Sequence, residues 1–167
     1  NTKKFILSSS EIRIHNSKFL LTNENLNTPK VIDFYNLNLS ASDFLILNTD
    51  VKTAIKNLSF IDSGGAQIQD LQTVFSYSLT QMMFEQLEIK SEHSKLFGRV
   101  QFDYDRKDFN DFLEKVNISG FLKNSTIDLE DLNVFYNEFG TNQKMDLNTV
   151  FSGTLNDLLL ENIDIIT

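Results

Sequence analysis

Alternation of apolar and polar side chains is the feature of this sequence that most constrains its fold. Apolar residues or glycine fill every second position from residue 96 to 104, and the stretch 73–79 alternates in the same way. Successive side chains of a β-strand point to opposite faces, so this period predicts two long strands, each with an apolar face.

Shorter alternating runs extend this pattern through the chain and predict about a dozen strands. The runs are Ile12 and Ile14, Phe19 and Leu21, Ile32 and Phe34, Leu45 and Leu47, Val116 and Ile118, Ile127 and Leu129, Met145 with Leu147 and Phe151, and Ile163 and Ile165. Turn-forming residues separate them at Asn16-Ser17, 23–29, 62–65, 91–94, 123–125 and 140–142. Such short links imply antiparallel neighbours, because a parallel crossover needs a dozen or more residues.

Helical spacing of apolar residues occurs in two places. Phe109, Phe112, Leu113 and Val116 follow a plausible cap at Asp108, which predicts a short helix over 108–116. Leu132, Phe135, Tyr136 and Phe139 follow Asp131 and precede Gly140, which predicts a second short helix over 131–139.

Phase breaks in the alternation predict β-bulges. Ile32 and Phe34 are followed by Leu37, and Ile55 is followed by Leu58, so one extra residue enters each alternating run. Near such breaks a short motif recurs in which a polar residue precedes leucine or isoleucine and a further apolar residue follows. It resembles the start of a strand and occurs at uneven spacing, at 35–39, 56–60, 69–74, 85–89 and 161–165. Bulges at corresponding places would bend the strands together and curl the sheet into a trough.

Composition and charge limit the classes of function. With 41% hydrophobic residues, 23% charged residues and 15 phenylalanines, the chain can bury a sizeable core. The net charge of −8 and the scattered basic residues disfavour nucleic acid as a partner. The absence of cysteine excludes disulfides and thiolate metal sites. No run approaches the roughly 20 apolar residues of a membrane-spanning helix.

Several motifs between Ser59 and Phe139 carry a resemblance to a known family. They are Ser63-Gly64-Gly65-Ala66-Gln67-Ile68-Gln69-Asp70-Leu71, Phe84-Glu85-Gln86-Leu87-Glu88-Ile89 followed by Ser91 and Ser94, Phe102-Asp103-Tyr104, Asp108-Phe109 with Phe112, and Asn124-Ser125-Thr126-Ile127 with Asp131-Leu132 and Phe135. In these motifs the chain resembles the Bacteroidetes-type TamB proteins of the AsmA-like superfamily, over about half of its length.

The resemblance implies a bridge-like lipid-transfer protein. Such a protein is anchored in the inner membrane, here through an anchor outside this sequence, and its β-groove crosses the periplasm and carries phospholipid toward the outer membrane. It also implies an outer-membrane barrel partner of the Omp85/TamA type. Since the chain begins at Asn1 without an initiator methionine, we expect residues 1–167 to be a single segment of a longer repetitive β-groove protein.

The expected fold is mainly β, a curved antiparallel sheet that forms a taco-like groove with the two short helices. Little sequence remains to cover the apolar face of such a sheet, so part of it should stay available for acyl chains. The expected groove lining is Phe75, Tyr77, Leu79, Val100, Phe102, Tyr104, Ile118, Met145, Leu147 and Phe151. We expect no catalytic residue, metal or cofactor.

Other chemistries have weaker support in the sequence. His15 and His93 lack ligand or triad spacing and are interpreted as surface residues. Asp103 and Asp105 could form a carboxylate pair for glycoside hydrolysis or Ca²⁺ binding, but solvation at a strand edge explains them. Residues 63–65 are better explained by a hairpin turn than by a phosphate-binding loop.

Two other functions stay open on this reading. A structural module could pair its exposed sheet edge with a barrel strand by β-augmentation, and would then bind protein without lipid. A β-solenoid acting on polysaccharide would need carboxylates together with Arg or Lys in one cleft, which the sequence does not indicate.

Overall fold

A computed structural model describes residues 4–23, 30–132 and 143–166, most of them in one curved, open antiparallel sheet of ten strands. The strands are β1 (Ile6–Asn23), β2 (Lys30–Leu47), β3 (Asp50–Asp62), β4 (Gln67–Ile68), β5 (Asp70–Tyr77), β6 (Gln81–Lys90), β7 (Lys95–Asp103), β8 (Asn117–Asp128), β9 (Lys144–Gly153) and β10 (Leu158–Ile166). Their order is β1-β2-β3-β5-β6-β7-β8-β9-β10, and β4 pairs with β3. The predicted fold class is confirmed.

Two of the predicted turns are wrong, because β1 and β8 each continue through the position where the prediction ends a strand. Asn16 and Asn124 lie at bulges inside β1 and β8, with left-handed φ values of 42° and 53°. The Asn16 amide donates to Asn38 Oδ1 at 3.0 Å, and the Asn124 amide donates to Asn148 Oδ1 at 2.8 Å. A side chain of the neighbouring strand thus satisfies each displaced amide, and the strand continues through the bulge.

The two predicted bulges are confirmed. The register between β2 and β3 shifts between Tyr35 and Asn38, and shifts again where Ser40 and Ala41 pair with Asn57 and Ile55, leaving Lys56 as the extra residue. The predicted turns at 62–65 and 91–94 are also confirmed, closed by backbone hydrogen bonds of 3.0 Å. The predicted turns at 24–29 and 140–142 lie outside the described residues.

The first predicted helix is present as a 3-10 turn, Arg106–Asp111, that continues into α1, Phe112–Lys115. Asp105 is the N-cap, and its amide donates to Asp108 Oδ2 at 2.8 Å, so the cap lies three residues before the predicted Asp108. A second helix, α2, spans Leu129–Leu132 and begins two residues before the predicted 131. The predicted range 133–139 lies outside the described residues.

The two faces of the sheet differ in exposure at adjacent positions of the same strand. Thr73 and Thr149 are each 4% exposed, whereas Val74 is 43% and Val150 is 45% exposed. Apart from the helical segment 106–115, the described residues place no second layer on the sheet. The low exposure therefore reflects side chains of neighbouring strands that pack against one another on the face of Thr73 and Thr149. We call it the inner face and the opposite one the outer face.

Six of the buried positions follow the bulges across the sheet, where each strand bends. They are Ala41, Thr73, Leu87, Ser125, Leu147 and Thr149, each beside or opposite a register shift. Gly98 lies on the same line, and a Cβ atom there would fall 1.9 Å from the Phe121 carbonyl oxygen of the next strand. These residues form the floor of the trough, and β7 and β8 approach too closely there for a larger side chain.

Candidate functional site: the inner face

Strand register brings apolar side chains of five strands into two adjacent rows on the inner face. The first row contains the cross-strand partners Phe75, Phe84, Val100, Gly120 and Phe151. The second row contains Tyr77, Met82, Phe102, Ile118 and Gly153. Both rows run across the strands, parallel to the floor, because antiparallel pairing places partner side chains on the same face.

Aromatic rings connect neighbouring strands within these rows. The ring centroids of Phe75 and Phe84 are 5.1 Å apart, and those of Phe84 and Phe102 are 6.1 Å apart with their planes nearly perpendicular. A second aromatic group lies on β1 to β3, where Phe34 stands 6.0 Å from Phe19 and 4.2 Å from Phe60. These separations suit offset and edge-to-face packing, so the rings both stabilise the curved sheet and give it an apolar surface.

The helical segment 106–115 covers the end of the second row. The Phe112 ring lies 5.9 Å from Phe102, and the Phe109 ring lies 4.6 Å from Tyr104. The Asn156 amide donates to the Leu113 carbonyl at 3.0 Å, which ties the segment to the turn between β9 and β10. Since Phe109 and Leu113 stay exposed, this cover extends over one rim of the trough only.

Six of the ten predicted lining residues belong to the two rows: Phe75, Tyr77, Val100, Phe102, Ile118 and Phe151. Met145 and Leu147 lie further along the same face of β9, with Leu147 in the floor. Leu79 is exposed in the turn after β5, and Tyr104 follows β7 beneath Phe109, so neither belongs to the rows.

Tyr104 is a buried structural residue at the end of β7. Its hydroxyl donates to the Ser78 carbonyl at 3.0 Å, and its amide donates to the Thr80 carbonyl at 3.0 Å. Burial, with a smaller contribution from Tyr77, raises the pKa of the Tyr104 hydroxyl to about 12. These two hydrogen bonds hold the β5–β6 turn against the end of β7.

Sequence reasoning missed several residues of the inner face. Phe84 and Met82 were hidden in a run that is apolar at consecutive positions, and the left-handed Gln86, φ 50°, shifts the alternation just after them. The phase break between Phe84 and Leu87 is the signal that could have assigned their face. Phe112 was predicted as helical, but its place against Phe102 depends on tertiary folding.

The outer face over the same strands carries a ladder of polar side chains among the exposed apolar residues Val74, Phe121 and Val150. Arg99 donates to Gln101 Oε1 at 2.8 Å and lies 3.9 Å from Glu85, while Gln101 donates to Asp103 at 2.8 Å. Gln81 donates to the other oxygen of Asp103 at 2.9 Å. This ladder occupies the Asp103 carboxylate with amide donors, as expected of a solvated strand face rather than of a carboxylate pair.

A cluster of hydroxyl and carboxylate groups lies at the opposite ends of the strands. Ser91 and Ser94 each donate to Asp131 Oδ2 at 2.5 Å, and His93 Nδ1 lies 3.7 Å from Asp131 Oδ1. Ser94 Oγ also accepts from the Asp128 amide at 2.9 Å. Because the serines bind the aspartate and no hydrogen bond joins either of them to His93, this group anchors α2 to the β6–β7 turn and lacks the order of a nucleophilic triad.

Across residues 4–23, 30–132 and 143–166, no three His, Asp or Glu side chains are grouped to hold a metal ion.

Comparison with known proteins yields no match: no family model, no curated protein and no solved structure is significantly similar to this chain. In the part of the chain that the structure describes, no helix is both long and apolar enough to cross a membrane. The geometry of the inner face therefore carries the functional argument.

Proposed function

We propose that this chain is a non-enzymatic segment of a periplasm-spanning, bridge-like lipid-transfer protein, and that its inner face holds the acyl chains of phospholipid. The observation that carries the proposal is the pair of apolar rows on β5 to β9, which among the described residues are partly covered by the segment 106–115 alone. The resemblance to TamB proteins supplies the wider setting, with an inner-membrane anchor in the full protein and a barrel partner in the outer membrane.

The physical basis is the removal of apolar surface from water. Each methylene group that leaves water for the inner face contributes about 0.8 kcal/mol, so a chain lying along the rows gains several kcal/mol in total. Phe75, Phe84 and Phe102 offer ring faces and edges to such a chain, and Met82 adds an adaptable thioether.

Transfer in this proposal requires no covalent chemistry. The rows run across the strands, so an acyl chain can slide from one strand to the next without meeting a charged residue on the inner face between β5 and β9. The polar headgroup remains in water along the open side of the trough, because burying a charge without a partner is costly.

Native mass spectrometry of the chain purified from a bacterial envelope tests the proposal, with two matched substitutions on opposite faces. Val100→Asp places a charge in the first row, and Val74→Asp places it on the outer face, where Val74 is already exposed. We expect phospholipid to copurify with wild type and V74D but not with folded V100D. V100T, which keeps the side-chain shape, should retain a reduced amount of lipid if V100D does not fold.

A protein-interaction module is the second candidate, supported by the edge strand β1. Ile6 and Leu7 at its start and Phe5 just before it are at least half exposed, and β1 pairs with β2 alone among the described strands. An outer-membrane barrel strand could add to this edge by β-augmentation. A well-folded wild type that carries no lipid but binds a TamA-type barrel would favour this candidate.

A further inference from the structure

A hairpin is repeated within the chain. Residues 146–165 match residues 70–89 with a constant offset of 76 positions, and nine of the twenty aligned residues are identical. The shared pattern is Asp-Leu-x-Thr-Val-Phe-Ser-x-x-Leu, followed by Glu85 and Ile89 in the first copy and by Glu161 and Ile165 in the second. Most of the remaining pairs are conservative, among them Gln72 with Asn148 and Glu88 with Asp164.

The strand register of the two hairpins repeats at the same offset. In the first copy Gln72 pairs with Glu88 and Val74 pairs with Glu85, so the bulge lies between these two residue pairs. In the second copy the equivalent pairs are Asn148 with Asp164 and Val150 with Glu161. The turns correspond as well, since the Ser78 amide donates to the Gln81 carbonyl at 2.8 Å and the Thr154 amide donates to the Asp157 carbonyl at 3.1 Å.

The strand that precedes each hairpin is also equivalent. β3 pairs with β5 through Val51 and Tyr77, and β8 pairs with β9 through Ile118 and Gly153, where Gly153 is the counterpart of Tyr77. The following pairs continue in step up to Thr73 and Thr149. The first strand of each hairpin therefore has an equivalent neighbour, β3 for β5 and β8 for β9.

The two hairpins differ at the far edge of their second strands, β6 and β10, and this difference points to a binding site. β6 pairs along its length with β7, whereas β10 pairs with β9 alone among the described strands. We propose that the free edge of β10 binds an antiparallel partner strand with the pattern of β7, which has apolar side chains at alternate positions and polar ones between them. The first copy shows how such a strand sits: Met82 faces Phe102, Met83 faces Gln101 and Phe84 faces Val100.

The β10 edge is suited to this partner. Leu158, Leu159 and Leu160 are the counterparts of Met82, Met83 and Phe84, and all three are exposed. A β7-like strand would pair with their backbone groups, cover their side chains and extend the inner face by one strand. The inference does not rest on lipid binding, since it follows from the repeat alone.

A cross-linking experiment tests the edge and its register, because the chain contains no cysteine. The full chain carrying Leu159→Cys is mixed with a synthetic peptide of residues Lys95–Asp103 in which Gln101→Cys marks the position opposite Leu159. Control peptides carry Arg99→Cys or Asp103→Cys, on the same face but two positions away. Directly opposed side chains come within disulfide range and diagonal ones do not, so we expect at least about fivefold more adduct with the Gln101→Cys peptide.

Hydrogen exchange on the wild-type chain provides a measurement that needs no substitution. The unmodified peptide should slow amide exchange in 158–166, and a scrambled peptide of the same composition should not. Equal adduct yields from all three cysteine peptides, or unchanged exchange in β10, would overturn the proposal. So would a covalent dimer of the L159C chain that forms in place of the peptide adduct.

Discussion

The Thr73 hydroxyl donates a hydrogen bond to the Glu85 carbonyl across 2.8 Å, directly before the left-handed residue Gln86. Thr149 makes the equivalent bond to the Glu161 carbonyl at 3.1 Å, and Thr53 donates to the Ser42 carbonyl at 3.0 Å, before the left-handed Asp43. A bulge removes a carbonyl from the regular ladder, so a threonine on the neighbouring strand satisfies it. These bonds stabilise the bends that make the sheet a trough.

Thr73→Val should lower the free energy of unfolding by about 1–3 kcal/mol, because it leaves the Glu85 carbonyl without its partner at a buried position. Chemical denaturation followed by circular dichroism measures the change. Thr73→Ser keeps the hydroxyl and should recover part of the loss, whereas Thr49→Val at an exposed turn should have little effect. A T73V chain as stable as wild type would contradict the role assigned to this bond.

Gly98→Ala should destabilise the chain by more than about 2 kcal/mol, because its Cβ would stand against backbone and not against a movable side chain. Gly64→Ala is the matched control, since its Cβ would meet only the Asp62 side chain at 3.4 Å. Thermal unfolding of both variants gives the comparison. Equal midpoints for G98A and G64A would show that β7 and β8 are not in close contact at the floor.

Tyr104→Phe should change how stability depends on alkaline pH. The folded-state pKa is raised to about 12 from the ordinary 10.0, so the wild type has its full stability below pH 10 and loses part of it as the pH rises toward 12. The variant lacks the bond to Ser78 and should be less stable by about 1 kcal/mol near pH 8. Denaturation midpoints should therefore converge or cross above pH 10, and a constant difference would argue against a buried, neutral Tyr104.

The sequence predicts the sheet well because period two is a local property of each strand. It also predicts the bulges near Asn36 and Lys56, since an extra residue shifts the apolar phase within one run. It misplaces Asn16 and Asn124, because a left-handed asparagine is equally typical of a turn, and only the side chain on the next strand distinguishes a bulge.

The candidate site is predictable in part for the same reason. The positions on β5, β7 and β9 keep their phase, so alternation correctly places Phe75, Phe102 and Phe151 on one face. Alternation does not place Phe84 there, because the neighbouring bulge hides its face, and the cover by Phe112 depends on how 106–115 folds back over the sheet. Cross-strand register is a tertiary property that alternation within one strand does not specify.

Photo-cross-linking from the two faces tests the central claim most directly. The photoreactive residue p-benzoylphenylalanine replaces Phe84 on the inner face in one variant and Phe121 on the outer face in the other, and both are irradiated in the bacterial envelope. Phe121 is 42% exposed and Phe84 is the less exposed of the two, so simple accessibility favours a cross-link from Phe121. The account predicts phospholipid adducts from position 84 and none above background from position 121. Adducts from position 121 alone, or from neither position in a folded chain, would contradict a lipid-holding inner face.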